Sequence, residues 1–64
     1  MIRVNGVERE WDDLSVSQLL DALAIDPRGI AVAIDGEIVR RSSWEVTVIG
    51  PGCSVEVVTA AAGG

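Results

Sequence analysis

The sequence lacks most of the side chains with which proteins carry out chemistry at neutral pH. It contains no histidine and a single cysteine, so no internal disulfide can form and a zinc site built from protein ligands is almost excluded. Without histidine the commonest general base is missing, and no Ser/His or Cys/His pair can be assembled. We therefore expect a chain that is not an enzyme, binds no cofactor itself and holds no metal.

The single cysteine, Cys53, lies in the turn-forming segment Gly50-Pro51-Gly52-Cys53-Ser54. A reactive thiol needs an activating neighbour such as a cationic side chain, and this segment supplies none. We interpret Cys53 as a small, partly apolar turn residue.

Lysine is absent too, and this leaves no side-chain amine as an acceptor for an isopeptide bond. Ten acidic residues stand against five arginines, which gives a net charge of −5. Such a balance argues against nucleic acids and anionic membranes as partners and favours basic protein surfaces.

Long apolar runs are missing as well. No segment approaches the roughly 20 apolar residues of a membrane span, and the first four residues lack the apolar centre of a signal peptide. We expect a cytoplasmic protein without membrane contact. Its 64 residues suit one small domain with little room for a deep catalytic pocket.

Two pairs of turn residues predict β-hairpins. Asn5-Gly6 joins short alternating segments at Ile2–Val4 and Val7–Trp11, and Asp35-Gly36 follows the apolar run Ile30–Ile34. Both pairs suit a type I′ turn, in which the central residues have positive φ. Because Ile30–Ile34 is apolar at every position, we expect it to be covered on both faces or central in its sheet.

One helix is predicted between these hairpins. Ser15 and Gln18 have the spacing of a capping box, and apolar residues then recur at helical spacing. Those residues are Val16, Leu19, Leu20 and Leu23. The segment Asp26-Pro27-Arg28-Gly29 is expected to stop the helix, because proline cannot continue it.

The last third of the chain predicts a crossover and a final strand. Trp44 interrupts a polar segment and is interpreted as an anchor of this crossover on the core, with stacking on a ligand as the alternative. Val46–Ile49 leads to the tight turn Gly50-Pro51-Gly52-Cys53, and Ser54–Thr59 is the last strand, which gives the order β-β-α-β-β-β. The fold class is therefore α+β, with a mixed sheet of four to five strands packed on one short helix, the β-grasp arrangement.

The domain is expected to comprise residues 1–59, and residues 60–64 form a flexible C-terminal tail. Ala60-Ala61-Ala62-Gly63-Gly64 is far shorter than the roughly 12 to 15 residues needed for marginal helicity in water. Fully extended, these five residues reach about 17 Å. The one ionisable group expected at their end is the Gly64 carboxylate.

The whole sequence resembles the ThiS family of sulfur carrier proteins, which are ubiquitin-like and serve thiamine thiazole biosynthesis. The resemblance depends on the order of several weak motifs and on the terminal Gly-Gly. These motifs are Val4-Asn5-Gly6, Leu14-Ser15-Val16, Asp26–Ala33, Asp35–Val39, Arg41–Trp44, Gly52 and Ala62-Gly63-Gly64. Asp35 and Cys53 are minor departures, at positions where asparagine and an acidic residue are common in the family.

This resemblance implies a function for Gly64. An ATP-dependent, ThiF-like adenylyltransferase would convert its carboxylate to an acyl adenylate. Sulfur from a cysteine desulfurase would then produce a thiocarboxylate, a 1-thioglycine, which donates sulfur to a ThiG-like thiazole synthase. Ala62, Gly63 and Gly64 would be the residues recognised by these partners.

Three alternatives stay open from the sequence. The chain resembles, less closely, the small subunit of molybdopterin synthase or a carrier for cysteine synthesis. It is also compatible with a non-covalent ubiquitin-like interaction module that uses an exposed sheet face or edge. The third alternative is a modifier that is conjugated to other proteins.

Overall fold

The computed structural model of the protein describes residues 1–59. The predicted tail, residues 60–64, lies outside the described residues. The strands are Ile2–Val4 (β1), Val7–Arg9 (β2), Leu14–Ser15 (β3), Ile30–Ile34 (β4), Glu37–Val39 (β5), Val48–Ile49 (β6) and Ser54–Thr59 (β7). One α-helix, Val16–Ala22 (α1), follows β3, and a short 3₁₀ helix, Arg41–Ser43, follows β5.

Five of these strands form one mixed sheet in the order β2-β1-β7-β4-β5. The last strand, β7, occupies the centre, where it pairs parallel with β1 and antiparallel with β4. The five-stranded sheet with one helix confirms the predicted α+β, β-grasp fold.

Both predicted hairpin turns are present. Val4 pairs with Val7 across a two-residue turn in which Asn5 and Gly6 have φ values of 49° and 83°. The second turn has the same geometry, with φ values of 50° at Asp35 and 88° at Gly36. Positive φ at both central residues is the signature of a type I′ turn, whose twist matches that of the flanking strands.

The predicted capping box also forms. The Ser15 hydroxyl accepts from the backbone N–H of Gln18 at 3.0 Å, and the Gln18 side chain accepts from the Ser15 N–H at 2.9 Å. The helix then buries Val16, Leu19 and Leu20. Two otherwise unpaired N–H groups of the first turn are thereby satisfied.

The helix ends before the predicted stop at Asp26-Pro27-Arg28-Gly29, so that prediction was wrong. Ala24 has a φ of +56°, and its N–H donates to the Asp21 carbonyl at 3.0 Å. The Ile25 N–H donates to the Leu20 carbonyl at 3.0 Å, which completes a Schellman motif. Glycine is the usual residue at the left-handed position of this motif, so alanine gave no sequence signal.

The predicted element order lacked the two short strands β3 and β6. Val48–Ile49 is not part of the large sheet but pairs antiparallel with Leu14–Ser15 in a separate two-stranded sheet. Two residues are too few for alternation to be recognised. The N–H of Val16 continues the contact by donating to the Thr47 carbonyl at 3.0 Å.

The core lies between the helix and one face of the large sheet. Its buried apolar residues are Ile2, Val4, Val16, Leu19, Leu20, Val32, Trp44, Ile49 and Val55. Trp44 is 5% exposed, and its indole N–H donates to the Val39 carbonyl at 3.0 Å, so the prediction that it anchors the crossover is confirmed. Val32 lies at the middle of β4, which is an interior strand of the sheet, as its apolar run predicted.

Candidate functional site: the base of the C-terminal segment

The C-terminal segment follows directly from the central strand of the sheet. Thr59, the last residue of β7, pairs with Ile30 at the beginning of β4. β1 pairs with Ser54 and Val55 at the beginning of β7, and β4 pairs with β7 from Val55 as far as Thr59. The sheet therefore fixes the position at which the C-terminal segment begins.

Asn5 extends the β1–β7 contact beyond the end of β1. Its backbone N–H donates to the Val55 carbonyl at 2.9 Å. Its side-chain amide then accepts from the Val57 N–H at 2.9 Å and donates to the Val57 carbonyl at 3.2 Å. The side chain thus replaces the backbone partner that β7 loses where the chain turns away at Gly6. The backbone N–H and carbonyl of Val57, two residues before Thr59, are thereby hydrogen-bonded.

An apolar patch lies on the sheet face opposite the helix, beside the end of β7. On this face Ala31 pairs with Val58 and Ala33 pairs with Ile38. Val58 is 56% exposed and Ile38 is 71% exposed. We call Ala31, Ala33, Ile38 and Val58 the outer patch. The acidic side chain of Glu56 lies on the same face, because Glu56 is also opposite Ala33.

Three charged residues are gathered beside the β7 terminus. The Asp26 carboxylate accepts three hydrogen bonds from Arg28: from its backbone N–H (2.9 Å), its Nε (3.2 Å) and its Nη2 (3.0 Å). The Arg41 guanidinium donates to the Pro27 carbonyl at 2.8 Å and lies 5.0 Å from the centroid of the Trp44 ring. We call Asp26, Arg28 and Arg41 the charged rim.

Arg28 and Arg41 lower the pKa of Asp26. The side-chain hydrogen bonds from Arg28 lower the pKa of Asp26 below its usual 3.8, and the Arg28 N–H and the charge of Arg41 act in the same direction. The same side-chain bonds raise the pKa of Arg28. Asp26 is therefore an anion, and Arg28 is a cation, at any physiological pH.

The described part of the chain contains no candidate metal centre. Among residues 1–59 no group of three Cys, Asp or Glu side chains is placed to hold a metal ion. Cys53 is half-buried against the core beside Arg3 and Glu8, in an open hollow of about 210 Å³. It is a turn residue, as predicted. Over the same range, no helix has the length and apolarity to cross a membrane.

The predicted site residues Ala62, Gly63 and Gly64 lie outside the described residues, so their roles stay predictions. The sequence did not assign Asn5 or the charged rim to the base of this segment. Asn5 was recognised as a turn residue, but its bonds to Val57 depend on β1 lying beside β7. That adjacency joins residues 52 positions apart, and local sequence patterns carry no signal for it.

Comparisons with known proteins agree with this architecture. The model of the ThiS family matches residues 2–64. A comparison with curated proteins finds no significant match.

Two solved structures from Geobacter metallireducens are similar in fold and sequence. The crystal structure of its thiamine biosynthesis protein ThiS has a TM-score of 0.81 and 28% identity, covering 98% of this chain and 97% of that one. The solution structure of a thiamine biosynthesis protein from the same organism gives 0.74 and 28%, covering 98% and 86%. Since the family model spans nearly the whole sequence, the chain belongs to the ThiS family.

Proposed function

We propose that the chain is a sulfur carrier for the thiazole moiety of thiamine, which carries sulfur as a thiocarboxylate on Gly64. The observation that carries this proposal is the family match over residues 2–64, which includes the terminal Gly63-Gly64. It is supported by two similar structures, both described as thiamine biosynthesis proteins. The alternatives of a molybdopterin or cysteine pathway receive no such support.

The chemistry follows from the state of the Gly64 carboxyl group. An α-carboxyl has a pKa of about 3.3 to 3.7, so at neutral pH it is an anion and a poor electrophile. A ThiF-like adenylyltransferase would use ATP to convert it to an acyl adenylate with release of pyrophosphate. A persulfide sulfur supplied by a cysteine desulfurase would then displace AMP. A thiol must cleave the resulting acyl disulfide to leave the thiocarboxylate.

The carrier itself contributes delivery and not catalysis. Glycine at positions 63 and 64 lets the backbone enter a narrow channel, since no Cβ obstructs it. The thiocarboxylate would then reach a ThiG-like thiazole synthase, which takes up the sulfur. ATP is used by the activating partner and is not bound by this chain.

The outer patch fits docking of these partners. Val58 lies one residue before the end of β7, and its exposed side chain continues the apolar surface of Ile38. An exposed apolar surface next to the segment that must be delivered allows a partner to bind the domain and the tail together.

Intact-mass measurement tests the proposal. The protein is incubated with the adenylyltransferase of its own organism, ATP, a cysteine desulfurase, cysteine and a thiol reductant. We expect a mass increase equal to the replacement of one oxygen by sulfur, which is lost in a variant that lacks Gly64 but stays folded. An unchanged mass, under conditions where the adenylyltransferase turns over ATP with another carrier, would refute the proposal.

A further inference from the structure

The arginines are unevenly distributed over a chain whose net charge is −5. Arg3 is paired with Glu8 at 3.2 Å, and the half-buried Arg9 lies 5.4 Å from the Trp11 ring centroid. Both belong to the β1–β2 hairpin. Arg28 and Arg41 instead lie at the end of the sheet where β7 finishes, because Thr59 pairs with Ile30 just after Arg28.

Their orientation is fixed by contacts within the domain. Two N–H groups of the Arg28 side chain bind Asp26, and one N–H group of Arg41 binds the Pro27 carbonyl. A guanidinium has five N–H donors, so Arg28 keeps three and Arg41 keeps four for other acceptors. The Arg28 side chain is 85% exposed, and Arg41 is exposed as well. These donors are oriented and available.

The charge of this surface is opposite in sign to that of the chain. The charged rim of Asp26, Arg28 and Arg41 carries a formal charge of +1. Asp21 lies nearby, across a shallow hollow lined also by Pro27 and Trp44, but among residues 1–59 it is in no ion pair. Asp26 already accepts three hydrogen bonds from Arg28. The groups left for a partner are therefore mainly guanidinium donors.

We propose that the charged rim docks against acidic side chains around the channel through which the adenylyltransferase admits the C-terminal segment. This inference depends on the proposed function, because an enzyme that takes Gly64 into its active site must meet the surface beside Thr59. Carboxylates match the fork of N–H donors on a guanidinium better than other side chains do. The prediction of basic partner surfaces, drawn from net charge, is thereby reversed at this one contact.

A charge-reversal experiment tests the inference. Carrier-dependent ATP–pyrophosphate exchange is measured with the adenylyltransferase for wild type and for the double variant Arg28→Glu/Arg41→Glu. Exposed ion pairs are worth about 0.2 to 1 kcal/mol each, and reversal adds repulsion, so we expect KM for the carrier to rise about tenfold at low ionic strength. The turnover at saturating carrier should change less than twofold. The rise in KM should shrink in 0.5 M NaCl, where screening acts over roughly 4 Å.

Two further variants control for charge and folding. Arg3→Glu reverses one arginine, which is half of that charge change, beside Ser54 at the opposite end of β7, and should leave KM within twofold of wild type. Arg28→Gln/Arg41→Gln keeps a donor for Pro27 and should give a smaller rise in KM, with a thermal midpoint only slightly below that of wild type. If the Glu double variant behaves like Arg3→Glu, or if its defect is insensitive to salt, the docking inference is wrong while the carrier function stands. A wild-type protein that supports no exchange would overturn both.

Discussion

Removal of the Asn5 side chain should destabilise the domain by separating β7 from β1 near its end. The most selective change is Asn5→Gly, because glycine retains the positive φ of 49° that the turn requires. It deletes only the two amide hydrogen bonds to Val57. Each such bond contributes about 0.5 to 1.5 kcal/mol, and both are exposed, so we expect a loss of about 1 to 2 kcal/mol.

Two companion variants separate hydrogen bonding from backbone strain. Asn5→Ala removes the same bonds and also places a Cβ in the left-handed region, which costs about 1 kcal/mol more. Asn5→Asp keeps the acceptor for the Val57 N–H but cannot donate to the Val57 carbonyl, so its stability should lie between wild type and Asn5→Gly. The expected order is therefore wild type, Asp, Gly, Ala.

Urea unfolding followed by tryptophan fluorescence measures these differences. A domain of this size is stable by roughly 3 to 10 kcal/mol, so a change of 1 kcal/mol is well resolved. Amide exchange at Val57 should accelerate in Asn5→Gly more than exchange at Val32, which pairs with β7 from the other side. An Asn5→Gly protein as stable as wild type would show that the side-chain bonds contribute nothing. Equal stability of the Gly and Ala variants would show that the backbone strain is absent.

Three further predictions concern other parts of the fold. Ala24→Gly should raise the free energy of unfolding by about 0.5 to 1 kcal/mol in the same urea assay, because Ala24 occupies the left-handed position of the Schellman motif. A loss of stability would contradict the assignment of Ala24 to that position. Val58→Ser should raise KM for the adenylyltransferase roughly 5- to 30-fold through the loss of apolar contact worth about 1 to 2 kcal/mol. Val7→Ser, at a residue of equal type and similar exposure that pairs with the buried Val4 on the other face of the sheet, should not, and equal effects would exclude the patch as the docking surface. We expect NMR titration to give Asp26 a pKa below 3.8, and Arg28→Ala to raise that pKa. Because the lowered pKa belongs to the folded state, the associated stability is present above pH 3.8. It is lost as the pH falls through the pKa of Asp26. An Asp26 pKa that does not respond to Arg28→Ala would contradict this.

Local chemistry explains which elements were predictable from the sequence. The two type I′ turns and the capping box each depend on residues no more than three positions apart, so their signals are contained in Asn5-Gly6, Asp35-Gly36 and the Ser15–Gln18 pair. The alternation and apolar runs of the strands then led to the correct sheet class. These are positions where backbone preference and tertiary structure agree.

The errors occurred where tertiary contacts override local preference. Ala24 adopts a glycine-like conformation because Ile25 packs against the core beyond it, and the free energy of that packing exceeds the strain at Ala24. The short strand β3 exists only because Val48–Ile49 lies alongside it. Neither feature is encoded in a local window of sequence.

The candidate site also has a part that the sequence indicates and a part that depends on tertiary contacts. The terminal Gly-Gly and its chemistry were accessible from the resemblance to a family, whereas the arrangement of the surface around it was not. Ile38 and Val58 are 20 positions apart in sequence, and they share one face only because β4 lies between β5 and β7. Recognising the outer patch therefore required the strand order.

The position of β7 connects the fold to the proposed function. An edge strand is held by one ladder, so its last residues fray more readily than those of a central strand. Here β4 pairs with β7 as far as Thr59, and Asn5 satisfies Val57 from the other side. The base of the C-terminal segment is consequently ordered up to the residue where the segment begins. A partner that binds the outer patch and the charged rim would find that base in a fixed position, so no residue of β7 would have to be ordered on binding. Each additional residue ordered costs about 1 to 2 kcal/mol, and this is why a central strand suits a protein whose proposed role is to deliver its own terminus.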